Sequence, residues 1–227
     1  MPVLVTSRSG GVSDPPFEGL NLGDHVGDAD EAVAVNRRRL VDRLRMPVQY
    51  MRQVHGRQVA VLRRHGPPPQ ADALVTDVPG LVLAVMVADC APVLFEAPAV
   101  VGVAHAGRVG MASGVIHATL GALERLGAAR DELRVTIGPC ICAGCYEVPE
   151  DLRCEVDTQV PGSAATTRVG TAAIDLRAGI RRQLAAAGVT DITISARCTA
   201  EDPELYSYRR EGRTGRFAGL AWLGPTP

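Results

Sequence analysis

Two runs near the middle of the chain, LVLAVMVA (residues 81 to 88) and AVVGVAHA (99 to 106), hold no charged acid or base until a histidine at position 105. A strand with one wet face alternates polar and apolar residues. A run that is apolar at both parities reads instead as a strand covered on both faces. QVAVL (58 to 62), LRVTIG (133 to 138) and DITISA (191 to 196) are further strand-like runs. Apolar residues recur at helical spacing in DEAVAVNRRRLVDRL (30 to 44), GVIHATLGALERLG (114 to 127) and DLRAGIRRQLAAAGV (175 to 189), with Asp30 and Asp175 placed as N-caps. Helices that alternate with doubly covered strands predict a mixed α and β class in layers. A chain of 227 residues is expected to form one domain over 1–227. The proline run at 67 to 69 marks an exposed loop inside it, no repeat of fixed period is present, and only LGPTP at the end has a biased composition.

Composition narrows the chemistry. The net charge of -1 gives no global reason to expect nucleic acid or an acidic membrane as partner. All 24 basic residues are arginine, which excludes Schiff-base and pyridoxal phosphate enzymes and the lysine-bearing phosphate loop. No apolar run reaches the ~18 residues of a membrane span. The six cysteines are too sparse for a disulfide framework in a chain of this size, so reduced thiols and a cytoplasmic location are expected.

The run VMVADCAPVLF (85 to 95) is interrupted by Asp89 and Cys90, and Pro92 is expected to close the regular structure there. His105 ends the next apolar run, and His55 precedes a glycine in RQVHGRQV. Two imidazoles and a thiolate suit zinc, which in catalytic sites takes three protein ligands and leaves one position open. The separations are wide, so the fold must assemble such a site. Two other readings stand beside it. Cys90 and the histidines can be ordinary core or loop residues, or Cys90 can be a nucleophile with His105 as base and Asp89 as orienter. The last is weakened because Asp89, adjacent on a strand, would face away from Cys90.

Three other clusters are candidates. GPCICAGCYEV (138 to 148) carries Cys140, Cys142 and Cys145, with Cys154 as a fourth candidate ligand, but its spacing is not that of a paired zinc knuckle and a Gly-Pro turn is the simpler expectation. LYSYRREGRTGRFAG (205 to 219) sets Arg209, Arg210, Arg213 and Arg216 among glycines and tyrosines, as in loops that hold phosphate or carboxylate, although a solvated loop has the same composition. TSRSGGVSDPPFEGLNLGDHVGD offers Arg8, Asn21, His25 and Asp28 in a long polar segment of the kind that often binds ligands.

In order along the chain, TSRSGGVS, NLGDHVGD, QVHG, ADALVTD, MVADCAPVLF, AHAG, IGP with CYEV, and SYRREGRTGR resemble the YfiH family. That family is also called the laccase-domain, polyphenol-oxidase or peptidoglycan-editing-factor family. The resemblance runs from about Thr6 to Leu223. It implies a single α+β domain with layered mixed β-sheets flanked by helices, and a zinc held by His55, Cys90 and His105. It also implies purine nucleoside chemistry: phosphorolysis of adenosine, inosine and methylthioadenosine, and deamination of adenosine, reactions that a metal Lewis acid suits. On that reading Asp89, Cys90 and His105 are catalytic, with Asp89 a proton shuttle. Arg8, Asn21, Arg209 and Arg210 contact substrate or phosphate, and the partners are purine nucleosides and phosphate. One departure stands out: the family pattern HAGWRG is here HAGRVG, with Arg108 in place of the aromatic residue and Val109 in place of the arginine.

Three other functions compete. A copper polyphenol oxidase needs many histidines, commonly in H-x-H pairs, and this chain has five with no such pair. A cysteine-dependent hydrolase editing peptidoglycan precursors would use Cys90 as nucleophile instead of ligand. A binding protein that has lost catalysis would keep the metal without turnover.

Overall fold

The computed structural model describes residues 3–224; the first two residues and the last three of the LGPTP tail lie outside it. In chain order the elements are β1 (Val3–Val5), α1 (Asp30–Leu44), β2 (Val48–Gln49), β3 (Val59–Leu62), β4 (Ala73–Thr76), β5 (Val82–Val87), β6 (Ala91–Ala97) and β7 (Val100–Ala106). Then come α2 (Arg108–Ser113), α3 (Val115–Arg125), β8 (Arg134–Ile137), α4 (Glu150–Gln159), β9 (Ala164–Thr166), β10 (Ala172–Ile174), α5 (Leu176–Ala186), β11 (Asp191–Ile194), α6 (Tyr208–Glu211) and β12 (Phe217–Ala221). No helix among the described residues is long and apolar enough to cross a membrane.

A six-stranded mixed sheet runs β11-β8-β6-β7-β4-β3, and a four-stranded one runs β1-β12-β5-β2. The continuous apolar runs are explained by what lies on each side of them. On β5, Leu83, Val85 and Val87 point into a cluster shared with Leu94, Val101 and Val103 of the larger sheet. Val82, Ala84 and Met86 of the same strand point the other way, onto Leu40 of α1. On β6, Val93 and Phe95 face a third cluster with Leu120 and Leu123 of α3 and Ile180 of α5. The order is therefore helix, sheet, sheet, helices, with the inner strands β4, β5, β6, β7 and β12 each serving two cores by their period of two. The sheets approach closely at Gly219, where a Cβ would stand 2.9 Å from both Leu94 and Pro92.

Several local expectations need correction. Pro92 does not end regular structure: it is the second residue of β6, opposite His105 of β7. A proline is tolerated there because its missing N–H falls at the strand's start, while its carbonyl accepts from Gly138 N at 2.8 Å. The helix expected at 114–127 is α3 alone, since Gly114 at φ 91° breaks it from a separate α2. Ala29, not Asp30, is the cap of α1; Asp30 is the first helical residue and acts only through the helix dipole. Asp175 does cap α5, accepting from Ala178 N at 3.0 Å. The proline run at 67 to 69 is the exposed loop expected, while β4 just after it, wholly buried, is absent from the strand-like runs read in the sequence.

Leu94 is fully buried between the sheets, whereas Val61 on edge strand β3 is 43% exposed. Leu94→Ala is expected to lower unfolding free energy by about 2–5 kcal/mol. Val61→Ala is expected to change it by less than about 0.5–1 kcal/mol. Urea titration of both variants checks this, and equal losses would contradict the layer assignment.

Candidate functional site

One end of the two-sheet stack carries the reactive side chains. His105 sits near the end of β7, Cys90 in the bend between β5 and β6, and His55 in the bend before β3. Their ligand atoms lie within 4.8 Å of one another. The two imidazole rings meet edge to face with centroids 4.6 Å apart. Gly107 lies beneath: a Cβ there would come within 2.5 Å of Cys90 Sγ, so only glycine leaves the thiol its place.

A residue not singled out from sequence organises the group. Asp72 is fully buried just before β4. Its carboxylate accepts from the backbone N–H of Val54 (3.2 Å), His55 (2.9 Å) and Gly56 (2.7 Å), and from His105 Nδ1 (3.0 Å). Burial works to raise the Asp72 carboxyl, but the His105 bond and the turn amides prevail and hold it low. His55 has the uncommon left-handed φ of 59°, and the three amide bonds fix the turn in it. With Nδ1 of His105 occupied by Asp72, Nε2 is left to face the thiol and His55.

The electrostatics of the trio follow. Burial by itself would raise the Cys90 thiol, but the charge of His105 and hydrogen bonds from His105 and His55 outweigh it and bring it down to about 6. Burial would lower His105, but the Cys90 charge and the Asp72 bond lift it to about 9. In the absence of a metal, the lowered thiol and the raised imidazole favour the thiolate–imidazolium form of the pair.

Asp89 also has a left-handed φ, 91°. Its carboxylate accepts from Thr199 Oγ1 (2.6 Å), Ser207 Oγ (2.7 Å) and Arg209 N (2.6 Å). These bonds tie the start of α6 to the Cys90 bend. The orienter of His105 is thus Asp72 and not Asp89, whose visible work is positioning.

A cavity of roughly 500 Å³ opens over the trio. Met86, Ile141 and Tyr146 give it apolar walls, and Arg108, Arg209 and Arg216 bring three guanidinium groups to it. Arg209 lies over the Tyr146 ring at 5.2 Å. Arg216 is held by its NH1 donating to the carbonyls of Thr214 and Gly215, both at 2.9 Å. Three residues expected at the substrate are elsewhere. Arg8 pairs with Glu211 at 3.0 Å and lies over Tyr206, away from the cavity lining. Arg210 spends its donors on the carbonyls of Thr199, Asp202 and Leu205 and on Glu211. Asn21 is fully buried, its Oδ1 accepting from Gly23 N and Arg216 N, so it holds the Arg216 strand start and does not line the cavity. Arg216, Arg108, Gln53, Tyr146 and Tyr208 take their place at the cavity.

Residues 2–224 match the family model of multi-copper polyphenol oxidoreductase laccases. The chain belongs to this family. Among relatives in this laccase-domain family is a purine nucleoside phosphorylase of Corynebacterium glutamicum, 45% identical over 97% of this chain and 93% of its own. Another, of Streptomyces griseus, is 48% identical over 96% and 92%. A solved Neisseria meningitidis protein of the DUF152 group superposes with a TM-score of 0.90 at 38% identity, covering 98% of this chain and 93% of that one. YlmD of Geobacillus stearothermophilus does so with 0.90 at 35%, covering 98% and 92%.

The donor chemistry of this laccase-domain chain fits a metal ion. Two imidazoles and a low thiol converge, one imidazole is oriented by a carboxylate, and Gly107 leaves the space clear. Arg108, the residue of the HAGRVG departure, lines the cavity, while Val109 is 44% exposed.

In metal-free protein, Cys90 is expected to react with iodoacetamide at a rate that rises with pH through about 6. The sign follows from the thiolate being the nucleophile, its fraction growing above the thiol's pKa. His105→Gln is expected to move that midpoint up toward the ordinary cysteine range. A pH-rate profile by mass spectrometry checks both, and a wild-type midpoint near 8 to 9, about the ordinary value, would contradict the ion pair.

Proposed function

We propose that this protein is a zinc-dependent purine nucleoside phosphorylase that also deaminates adenosine, with His55, Cys90 and His105 as the metal ligands. The observation that carries the reading is the meeting of a three-donor set and three guanidinium groups in one cavity of roughly 500 Å³, a volume that suits a nucleoside with phosphate. The names of the Corynebacterium and Streptomyces relatives support it.

A purine fits between the Tyr146 ring and the apolar side chains of Met86 and Ile141. Arg108, Arg209 and Arg216 hold phosphate by charge-assisted bonds and bring an oxygen to the anomeric carbon. There the new C–O bond forms as the glycosidic C–N bond breaks, and the electron pair leaves with the purine. Asp89 keeps Arg209 at the cavity by accepting its backbone N–H at 2.6 Å. His55, Cys90 and His105 would hold the zinc ion, which when bound would supply Lewis-acid chemistry beside the purine. The arginine that the family pattern places one residue later is supplied here by Arg108.

A second reading has its own observation. Cys90, His105 and Asp72 stand in the relation of nucleophile, base and orienting carboxylate, as a cysteine hydrolase acting on peptidoglycan precursors would need. Metal content separates the two, because a ligating thiolate is not free to attack.

Zinc near one equivalent at the trio and phosphate-dependent release of free base from adenosine, inosine or methylthioadenosine are expected, both lost in Cys90→Ala. Ammonia release from adenosine reports the deaminase activity. Arg108→Ala is expected to raise the KM for phosphate about 10- to 100-fold, since a charge-assisted bond is worth about 1.5–3 kcal/mol. An unchanged KM would remove Arg108 from the phosphate site. Trio mutants that keep their full metal content, or wild-type protein with no nucleoside turnover, would overturn the proposal.

A further inference from the structure

Behind the Tyr146 wall, a second set of donor atoms converges that the nucleoside reading does not use. Cys142 and Cys145 span a single 3-10 turn, Ala143–Cys145, as a C-x-x-C pair. Cys198 and Glu201 lie at the same spacing in the turn that follows β11. The four ligand atoms all lie within 4.8 Å of one another. Around a tetrahedral zinc with Zn–S of about 2.3 Å they would stand about 3.8 Å apart, so only a small inward movement closes the set.

The backbone holds the two turns in register. Cys140 and Cys198 form an isolated parallel bridge, and Thr199 N donates to Cys140 O at 3.3 Å. Cys142 N donates to Cys198 Sγ at 3.2 Å, an N–H···S bond of the kind that stabilises a ligating thiolate. Cys145 Sγ donates to Glu201 Oε1 at 3.4 Å. Arg168 pairs with Glu201 and reaches Cys145 Sγ at 3.5 Å. Three thiolates and a carboxylate outweigh a divalent ion in charge, and Arg168 is placed to balance part of the excess. Cys154, the fourth ligand considered from sequence, is exposed on α4 and is not in the group, and Cys140 is buried apart from it, its thiol pushed up to about 12 by burial.

We propose that Cys142, Cys145, Cys198 and Glu201 form a second, structural zinc site that clasps the turn at 140–146 to the turn at 198–201. Soft sulfur donors with one carboxylate select zinc over the hard divalent ions. The first clasped turn lines the cavity, and the second is bonded to a lining residue. The first ends in Tyr146 and includes Ile141, and the second includes Thr199, which donates to Asp89. The clasp therefore braces the wall on which Arg209 rests, and it stands whether or not the cavity takes a nucleoside.

The test is zinc content of full-length protein purified in a non-thiol reductant, saturated with Zn2+ and freed of loosely held metal. Four forms are compared: wild type, Cys90→Ala, Cys142→Ser/Cys145→Ser, and all three substitutions together. Cys90→Ala is expected to retain about one equivalent and the triple variant none, with Co2+ in Cys90→Ala giving the intense thiolate charge-transfer band of a tetrahedral site. If the trio binds no metal, wild type is expected to hold about one equivalent that only the Cys142→Ser/Cys145→Ser change removes, so failure of the nucleoside reading is distinguishable. Because the double serine variant can fail to fold, Glu201→Gln serves beside it. It keeps all thiols and is expected to weaken retention of the second equivalent at least about tenfold against a chelator. Cys90→Ala protein without zinc, folded serine variants with unchanged zinc, or Glu201→Gln with unchanged retention would each overturn the proposal.

Discussion

The buried carboxylate of Asp72 is the interaction on which the site depends. An ionised carboxylate in the core is costly unless its oxygens are satisfied, and here three backbone amides and one imidazole satisfy them. Those partners come from two parts of the chain that do not pair as strands, the His55 turn and the end of β7. The same charge sets the turn, selects the face that His105 presents, and supports the high imidazole and low thiol beside it. Replacing it with an apolar residue would strand three donors and an imidazole at once, which makes the turn and the trio one cooperative unit.

Asp89 does comparable work one layer out. It accepts from two hydroxyls and an amide that belong to segments more than a hundred residues further along the chain, and it does so from a strained left-handed backbone. A hydroxyl or amide that must stay close to a bend which itself resists relaxation gives the cavity a rigid corner. Strain of this kind persists only where the surroundings over-determine it, and here the surroundings are the loops that bring Arg209 to the rim.

Much of this was legible in the sequence, and the limits have physical reasons. Strands apolar at both parities implied cover on both faces, and the two sheets with outer helices supply it. The trio His55, Cys90 and His105 could be picked by donor type, and the fold brings the three together. Asp72 was missed because one acid among 25 acidic residues carries no label, although an acid opening the apolar run ALV was a usable signal. That Arg8 and Arg210 do not reach the cavity was not legible, because composition shows that a loop is rich in arginine, not which guanidinium is already paired. Nor was it for Asn21, because sequence does not show that its amide is buried against backbone. Cys198 and Glu201 could not be joined to Cys142 and Cys145, since 56 residues and a parallel strand pair separate Cys142 from Cys198.

The position of β12 between β1 and β5 puts the last of the described strands inside the smaller sheet and not at its edge. During synthesis β5 therefore waits with one side unpaired until Phe217–Ala221 have been made. His55, Asp72, Cys90 and His105 all precede residue 106, and the six-stranded sheet that seats them is complete at β11. Arg209 and Arg216 arrive afterwards, the latter on the segment that leads into β12. The donor trio can thus be ordered on a growing chain whose cavity still lacks two of its three arginines, so the arginine-bearing rim is the last part of the site to be made.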